Sequence, residues 1–351
     1  MGRLAASLAL LIAVTGYAAE PSALKEHAEV KGALAVIDAW LGGMRDYENI
    51  PGISVGLVID QDLVFAKGYG YAYLRRKVVA DADTIYSICS IIKLFTTIGI
   101  MQMRDAGKLT LRDPVAKHLH WFAINERYAQ AGPARIQGLL THSSGLPREV
   151  DFPYWVDTTF PFPDRAGMIE QVARQQTLYP ADTLFQYSNL GFTLAGEILV
   201  ELAQQPYQQY VQERVLTPLG MTDTRPYYRK KLRGKQMAIG YSGLGRDGKR
   251  MPVPAFDTKA VAPAAGFTST VNDLAKFASW QFKLLANQST ATAEILAANT
   301  LREMHRVHWV DQLMPVTTVA QYGVAKSPYV SGAISWWRCA CRVMPLKISL
   351  S

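Results

Sequence analysis

Apolar positions along the chain fall into helical and strand-like periods that mark out its elements. Residues 22–48 carry Ala, Leu and Val at helical spacing, which predicts an amphipathic helix interrupted around Gly42–Gly43. After Pro51-Gly52, Ile53–Ile59 and Leu63–Tyr71 read as two strands joined by a turn at Asp60-Gln61-Asp62. Such a hairpin needs a helix or further strands behind it. The run from Ile85 to Arg104 is apolar nearly all round, with Ser90 and Lys93 standing among large side chains, so a helix there belongs in the middle of the protein.

Further along, Leu139–Pro147 ends a short helix in a Ser/Gly/Pro turn, and the Pro- and aromatic-rich stretch 148–184 reads as an irregular lid or a set of short helices. Asn189–Gln204 is a helix with Tyr187 and Ser188 immediately before it, and Tyr207–Val215 is another. Asp273–Leu285 is helical behind a cap at Ser269 or Asn272. No internal repeat or low-complexity tract is visible.

The chain has 351 residues, 49% hydrophobic and 19% charged. That composition excludes disordered, collagenous and coiled-coil classes, and the length suits one large domain or two packed subdomains. The net charge of +8 is concentrated: residues 225–250 hold nine basic side chains against a single acidic one, Asp247. A solvated loop face or an anionic ligand or surface are the two readings of that run. Cys89, Cys339 and Cys341 are too few and odd in number for a disulfide framework, and their spacing lacks the ligands of a zinc site.

A short basic start, an apolar run from Leu4 to Val14 and the small residues Gly16 and Ala18 predict an export signal over residues 1–18, and hence a periplasmic or secreted mature protein. An uncleaved N-terminal membrane anchor is the alternative. No later segment has the apolar length of a transmembrane span.

Ser90 and Lys93 are three apart, which on a helix places them on one face. A serine hydroxyl is a weak nucleophile until a base takes its proton, and a buried lysine can do so once desolvation lowers its pKa. A serine in the first helical turn also offers a backbone amide to a developing oxyanion. The competing reading pairs Lys93 with a carboxylate and bonds Ser90 to the preceding turn. Tyr187 and Asn189 lie just before or at the start of a helix: either Tyr187 shares the proton traffic while Asn189 points into the same cleft, or they are a core aromatic and a helix cap.

These segments together resemble the serine beta-lactamase-like hydrolases related to class C beta-lactamases, D-alanyl-D-alanine carboxypeptidases, family VIII carboxylesterases and the mitochondrial beta-lactamase-like protein. The matching pieces occur in family order: PGISVGLVIDQDLVFAKGYG at 51–70, SICSIIKLFTT at 87–97, GKLTLRDPV at 107–115 and LLTHSSGLP at 139–147. FQYSNLGFTLAGEILVELA at 185–203, LTPLGMTDT at 216–224 and AAGFTSTVNDLAKFA at 264–278 complete the series. The resemblance implies an α+β, beta-lactamase/transpeptidase-like fold: an antiparallel sheet flanked by helices, with a mostly helical subdomain. Its sheet part would take residues 22–80 and 262–310 of a domain over 19–310, and its helical part about 85–261. It also implies Ser90 as acylated nucleophile, Lys93 as its activating partner, Tyr187 as second general base or proton shuttle and Asn189 as a substrate-binding side chain, with no metal or organic cofactor. His142 falls in a segment whose usual job is to support the subdomain, and His305 and His308 read as surface or satisfied core histidines.

The resemblance fades after about residue 310. The Lys-Thr-Gly or His-x-Gly motif of these enzymes has no counterpart in residues 311–351, where Tyr329–Trp337 is the remaining candidate for an edge strand that brings an oxyanion-hole amide. Two functions follow. One is a serine hydrolase acting on an ester, amide or beta-lactam carbonyl through an acyl-enzyme on Ser90. The other is a catalytically impaired relative that binds peptidoglycan fragments or a protein. A small-molecule ester, lactam or peptide is the expected partner, and nucleic acid is not.

Overall fold

The alternating segments form a hairpin. In a computed structural model of the protein, which describes residues 21–156, 159–286, 295–306 and 308, β1 (Gly52–Ile59) and β2 (Asp62–Tyr73) pair antiparallel, from Gly52 opposite Gly70 to Ile59 opposite Asp62. The turn is one residue tighter than its sequence suggests, since Asp62 joins the ladder. Asp60 takes the left-handed conformation there, which a short polar side chain tolerates. A short β3 (Val78–Val79) extends the sheet beyond β2.

The expected N-terminal helix forms with its break elsewhere. α1 (Pro21–Glu26) and α2 (Ala28–Tyr47) separate at His27, whereas Gly42 and Gly43 remain helical. Each helical glycine costs about 1 kcal/mol relative to alanine. α2 is anchored against that cost by Asp38, which accepts from Lys67 Nζ at 2.8 Å and from the Tyr69 hydroxyl at 2.6 Å on β2.

The apolar run 85–104 is three elements rather than one helix. β4 (Tyr86–Ser87) pairs with β5 (Thr268–Ser269), a tight 3-10 turn covers Cys89–Ile92, and α3 runs Lys93–Asp105. Every residue of α3 from Lys93 to Met101 is buried, as expected of a helix with almost no polar face. The helices that follow are α4 (Val115–His118), α5 (Ile136–Thr141), α6 (Arg165–Arg174), α7 (Asn189–Ala203), α8 (Tyr207–Val211) and α9 (Ala262–Ala265), of which α7, α8 and α9 pack on α3. α7 packs on α3, α5 and α9, and its first eight residues are buried.

α10 (Val271–Leu285) covers β1 and β2, and α11 (Ala298–Met304) packs on α10. The cap of α10 is neither of the two expected residues: Thr270 Oγ1 accepts from the Asp273 amide at 3.2 Å. Ser269 is instead bonded to Thr224 at 2.7 Å, and Asn272 donates to Asp83 at 2.6 Å. The stretch 148–184 contains α6, and in the basic loop Arg233 and Arg250 donate to the carbonyls of Val253 and Ser242, so part of its charge ties the loop together. Lys230, Lys231, Lys235, Arg246 and Lys249 are exposed. No helix among the described residues is long and apolar enough to cross a membrane. The expected signal over 1–18, the cysteines at 339 and 341 and the segment Tyr329–Trp337 lie outside the described residues.

Candidate active site

Four side chains singled out by their spacing meet at one point. Ser90 Oγ is 2.8 Å from the Tyr187 hydroxyl and 3.1 Å from Lys93 Nζ. Lys93 Nζ donates to Asn189 Oδ1 and to the Ala264 carbonyl, each at 2.7 Å. Ser90 sits on the 3-10 turn rather than in an α-helical turn. With three residues per turn, residues three apart eclipse, so the turn aligns Ser90 with Lys93 more closely than an α-helix does. Cys89, immediately before, takes a positive φ of 42°, a conformation uncommon for such a residue.

The second half of the site comes from the start of α7. Ser188, not Asn189, is its cap: Ser188 Oγ accepts from the Gly191 amide at 2.8 Å. Asn189 is thereby the first helical residue, buried, with its amide directed at Lys93. His142 supports this arrangement from behind. It is fully buried, its Nδ1 accepts from the Ser188 amide at 3.1 Å, and its ring lies 4.5 Å from that of Tyr187. His305 and His308 are distant from the cluster in the chain: His305 Nε2 contacts Gln281 at 3.2 Å, and His308 Nε2 contacts the Glu303 carbonyl at 2.9 Å.

Electrostatics follow from burial. Lys93 is 1% exposed, and desolvation brings its pKa down to about 7 against the opposing pull of Glu149, with Arg148 adding to the depression. As a neutral amine, Lys93 has two N–H bonds and one lone pair. Asn189 Oδ1 and the Ala264 carbonyl can only accept, so they take both hydrogens and the lone pair is left facing Ser90 Oγ. Burial pushes the Tyr187 phenol the other way, up to about 12, so it stays protonated at neutral pH. The competing reading, in which Lys93 pairs with a carboxylate, is met only indirectly, since Glu149 reaches it through Asn189 Nδ2.

Three participants escaped the sequence reading. Glu149 accepts from Asn189 at 2.7 Å, Arg148 lies with its guanidinium 4.8 Å above the Tyr187 ring, and Ala264 contributes its main-chain oxygen. Arg148 and Glu149 directly follow the LLTHSSGLP segment, and that adjacency was the available signal. A backbone acceptor such as Ala264 leaves none. Among the described residues no cluster of three or more His, Cys, Asp or Glu side chains is arranged to hold a metal ion.

Comparisons with known proteins agree with this architecture. The family model described as Beta-lactamase matches residues 37–340, past residue 310, after which the resemblance read from the sequence fades. Protein flp of Staphylococcus aureus is 32% identical over 199 residues, covering 56% of this chain and 39% of its own length. Beta-lactamase-like protein 2 of Dictyostelium discoideum is 31% identical over 189 residues, 53% of this chain and 34% of its own length. The match thus spans well under half the length of these curated relatives. Among solved structures, the octameric penicillin-binding protein homologue from Pyrococcus abyssi superposes with a TM-score of 0.67 at 26% identity, covering 79% of this chain and 62% of that one. An antiparallel sheet flanked by helices, ordered motifs and a family match over most of its length together make this chain a member of the beta-lactamase family, with the beta-lactamase/transpeptidase-like hydrolase fold.

Proposed function

We propose that the protein is a serine hydrolase that acts on an ester, amide or beta-lactam carbonyl through an acyl-enzyme on Ser90. The observation that carries this reading is the placement of Lys93 Nζ, 3.1 Å from Ser90 Oγ and 2.7 Å from both Asn189 Oδ1 and the Ala264 carbonyl, which leaves the lone pair of the neutral amine for the Ser90 proton. In the first step Ser90 Oγ transfers its proton to Lys93 and bonds to the substrate carbonyl carbon, whose oxygen takes the negative charge. As the tetrahedral intermediate collapses, the Tyr187 hydroxyl, 2.8 Å from Ser90 Oγ, protonates the leaving group, and the Lys93 ammonium 5.0 Å from its ring centre offsets the phenolate. Lys93 then returns its proton to Tyr187. Water attacks the ester on Ser90 with Tyr187 and Lys93 acting in reverse, releasing the acid. The scheme uses no metal or organic cofactor.

A Ser90 backbone amide supplies one oxyanion donor in this scheme. The expected second donor, from an edge strand at Tyr329–Trp337, lies outside the described residues. The absence of a Lys-Thr-Gly or His-x-Gly motif after residue 310 favours a second reading, a relative that binds peptidoglycan fragments or a protein without turnover. Export to the periplasm or the exterior is proposed on the N-terminal sequence pattern alone.

One experiment separates the two readings. The protein is incubated with a fluorescent penicillin, chosen because a penicillin-binding protein homologue shares its fold, and with a fluorophosphonate, then analysed by intact mass and peptide mapping. An adduct on the peptide containing Ser90, absent from Ser90→Ala, is expected of the hydrolase. No adduct with either probe on folded protein leaves the binding reading.

A further inference from the structure

Glu149 is joined to the Ser90 cluster through a single side chain. Its Oε1 accepts from Asn189 Nδ2 at 2.7 Å, its Oε2 accepts from the Tyr154 hydroxyl, and Arg148 Nε stands 3.4 Å from Oε1. The backbone holds this segment in place. The Arg148 carbonyl accepts from the amides of Asn189 at 2.8 Å and Leu190 at 3.2 Å, and the Glu149 carbonyl accepts from Gln175 Nε2 at 3.0 Å. Residues 148–149 are therefore fastened both to the start of α7 and to the residue after α6.

An asparagine amide presents an acceptor on one side and a donor on the other, and its orientation depends on its partners. An ionised carboxylate only accepts. Glu149 consequently takes Asn189 Nδ2 and leaves Oδ1 for Lys93. The reversed amide would point an N–H at Lys93 and occupy the lone pair that otherwise faces Ser90. We propose that Glu149 is a positioning residue that locks the Asn189 amide and keeps the Lys93 lone pair directed at Ser90, with Arg148 as its electrostatic counterweight. The proposal rests on the reading of Lys93 as the base for Ser90.

The charges that face Lys93 give the proposal a sign. Glu149 favours the ammonium and Arg148 disfavours it. Cys89, His142 and Tyr187 also border Lys93, and burial keeps each neutral around pH 7: the thiol and phenol are raised and the imidazole is lowered well below its usual value. Neutralising Glu149 therefore moves the Lys93 titration to lower pH, and neutralising Arg148 moves it to higher pH. A residue that merely packs would move neither in this opposed way.

The test measures two quantities in the full chain: the pH dependence of Ser90 phosphonylation by the fluorophosphonate, and the titration of Lys93 followed by NMR on protein carrying 13Cε-lysine, with Lys93→Met assigning the resonance. Glu149→Gln is expected to shift both to lower pH while keeping most of the high-pH phosphonylation rate, because Gln Oε1 still accepts from Asn189. Arg148→Gln is expected to shift both to higher pH. Glu149→Leu, which frees the amide, is expected to lower the high-pH rate by about tenfold to a hundredfold. Unshifted profiles in both neutral variants, shifts of the same sign, or an unchanged high-pH rate in a folded Glu149→Leu overturn the proposal. If Glu149→Leu does not fold, the two glutamine variants decide alone. The NMR titration needs no activity: opposed shifts in a chain that forms no Ser90 adduct would refute the hydrolase reading and leave the positioning of Lys93 standing.

Discussion

Lys93 Nζ and the carbonyl oxygen of Ala264 are 2.7 Å apart although 171 residues separate them in sequence. The contact holds the amine through a second acceptor besides Asn189 Oδ1. It depends on α9 lying hard against α7, where Gly196 faces the Pro263 ring.

Gly196→Ala tests that dependence. A Cβ at position 196 would stand 2.1 Å from Pro263 Cγ, and the ring cannot swing aside. Overpacking of this kind costs about 1–3 kcal/mol, and α9 must shift with its carbonyl. The variant is expected to melt lower and to acylate more slowly than wild type under conditions where both are folded. Gly43→Ala is the control, since a Cβ there meets nothing within 4 Å in the interior of α2. It should raise stability by up to about 1 kcal/mol and leave acylation unchanged. Thermal melts with acylation rates check both; a Gly196→Ala that acylates at the wild-type rate disconnects α9 from the site.

Tyr187→Phe removes one hydroxyl from the cluster. The ring remains packed against His142, 4.5 Å away, so stability should fall by only about 1 kcal/mol. Turnover of an ester should fall by about a hundredfold or more, the usual share of a general acid–base group. Steady-state rates and denaturant titrations on the same preparations decide. Equal free-energy losses in both would make Tyr187 a packing residue.

The cluster was legible because its four members are side chains set at short, readable spacings on either side of two chain segments. Ser90 and Lys93 stood out as polar groups in an apolar run, and Tyr187 and Asn189 as polar groups at the start of a helix. The antiparallel hairpin and α7 were legible for the same reason, since hydrophobic period reports burial directly. The split of 85–104 into strand, 3-10 turn and α-helix was not, because a buried run carries no period of its own. Glu149 acts across 40 residues through an amide, and no local pattern encodes that distance. At α10, Ser269, Thr270 and Asn272 are all chemically fit to cap, and only the tertiary partners of Ser269 and Asn272 reserve Thr270 for the role.

His142 gives the fold a dependence on acid. Burial holds its pKa well below the usual value, while the unfolded chain binds a proton near pH 6.5. As pH falls below that point the unfolded state gains protons that the folded state does not, so stability is lost with falling pH. His142→Gln lacks this component. Denaturant titrations at about pH 7 and about pH 5 should show a smaller loss in the variant than in wild type. Equal losses would place the acid sensitivity elsewhere.

The central claim is that a neutral Lys93 takes the proton of Ser90. The direct measurement is the rate at which the fluorophosphonate phosphonylates Ser90, with loss of fluoride, from about pH 5 to about pH 9, read by intact mass, in wild type and in Lys93→Met. His142 is held neutral and Tyr187 protonated across the middle of that range, so Lys93 is the cluster's group that changes charge there. The account predicts a rate that climbs with pH, half-maximal near the Lys93 value of about 7, and a variant that is folded and nearly unreactive at every pH. A pH-independent rate in wild type, or phosphonylation of Lys93→Met at the wild-type rate, would contradict it.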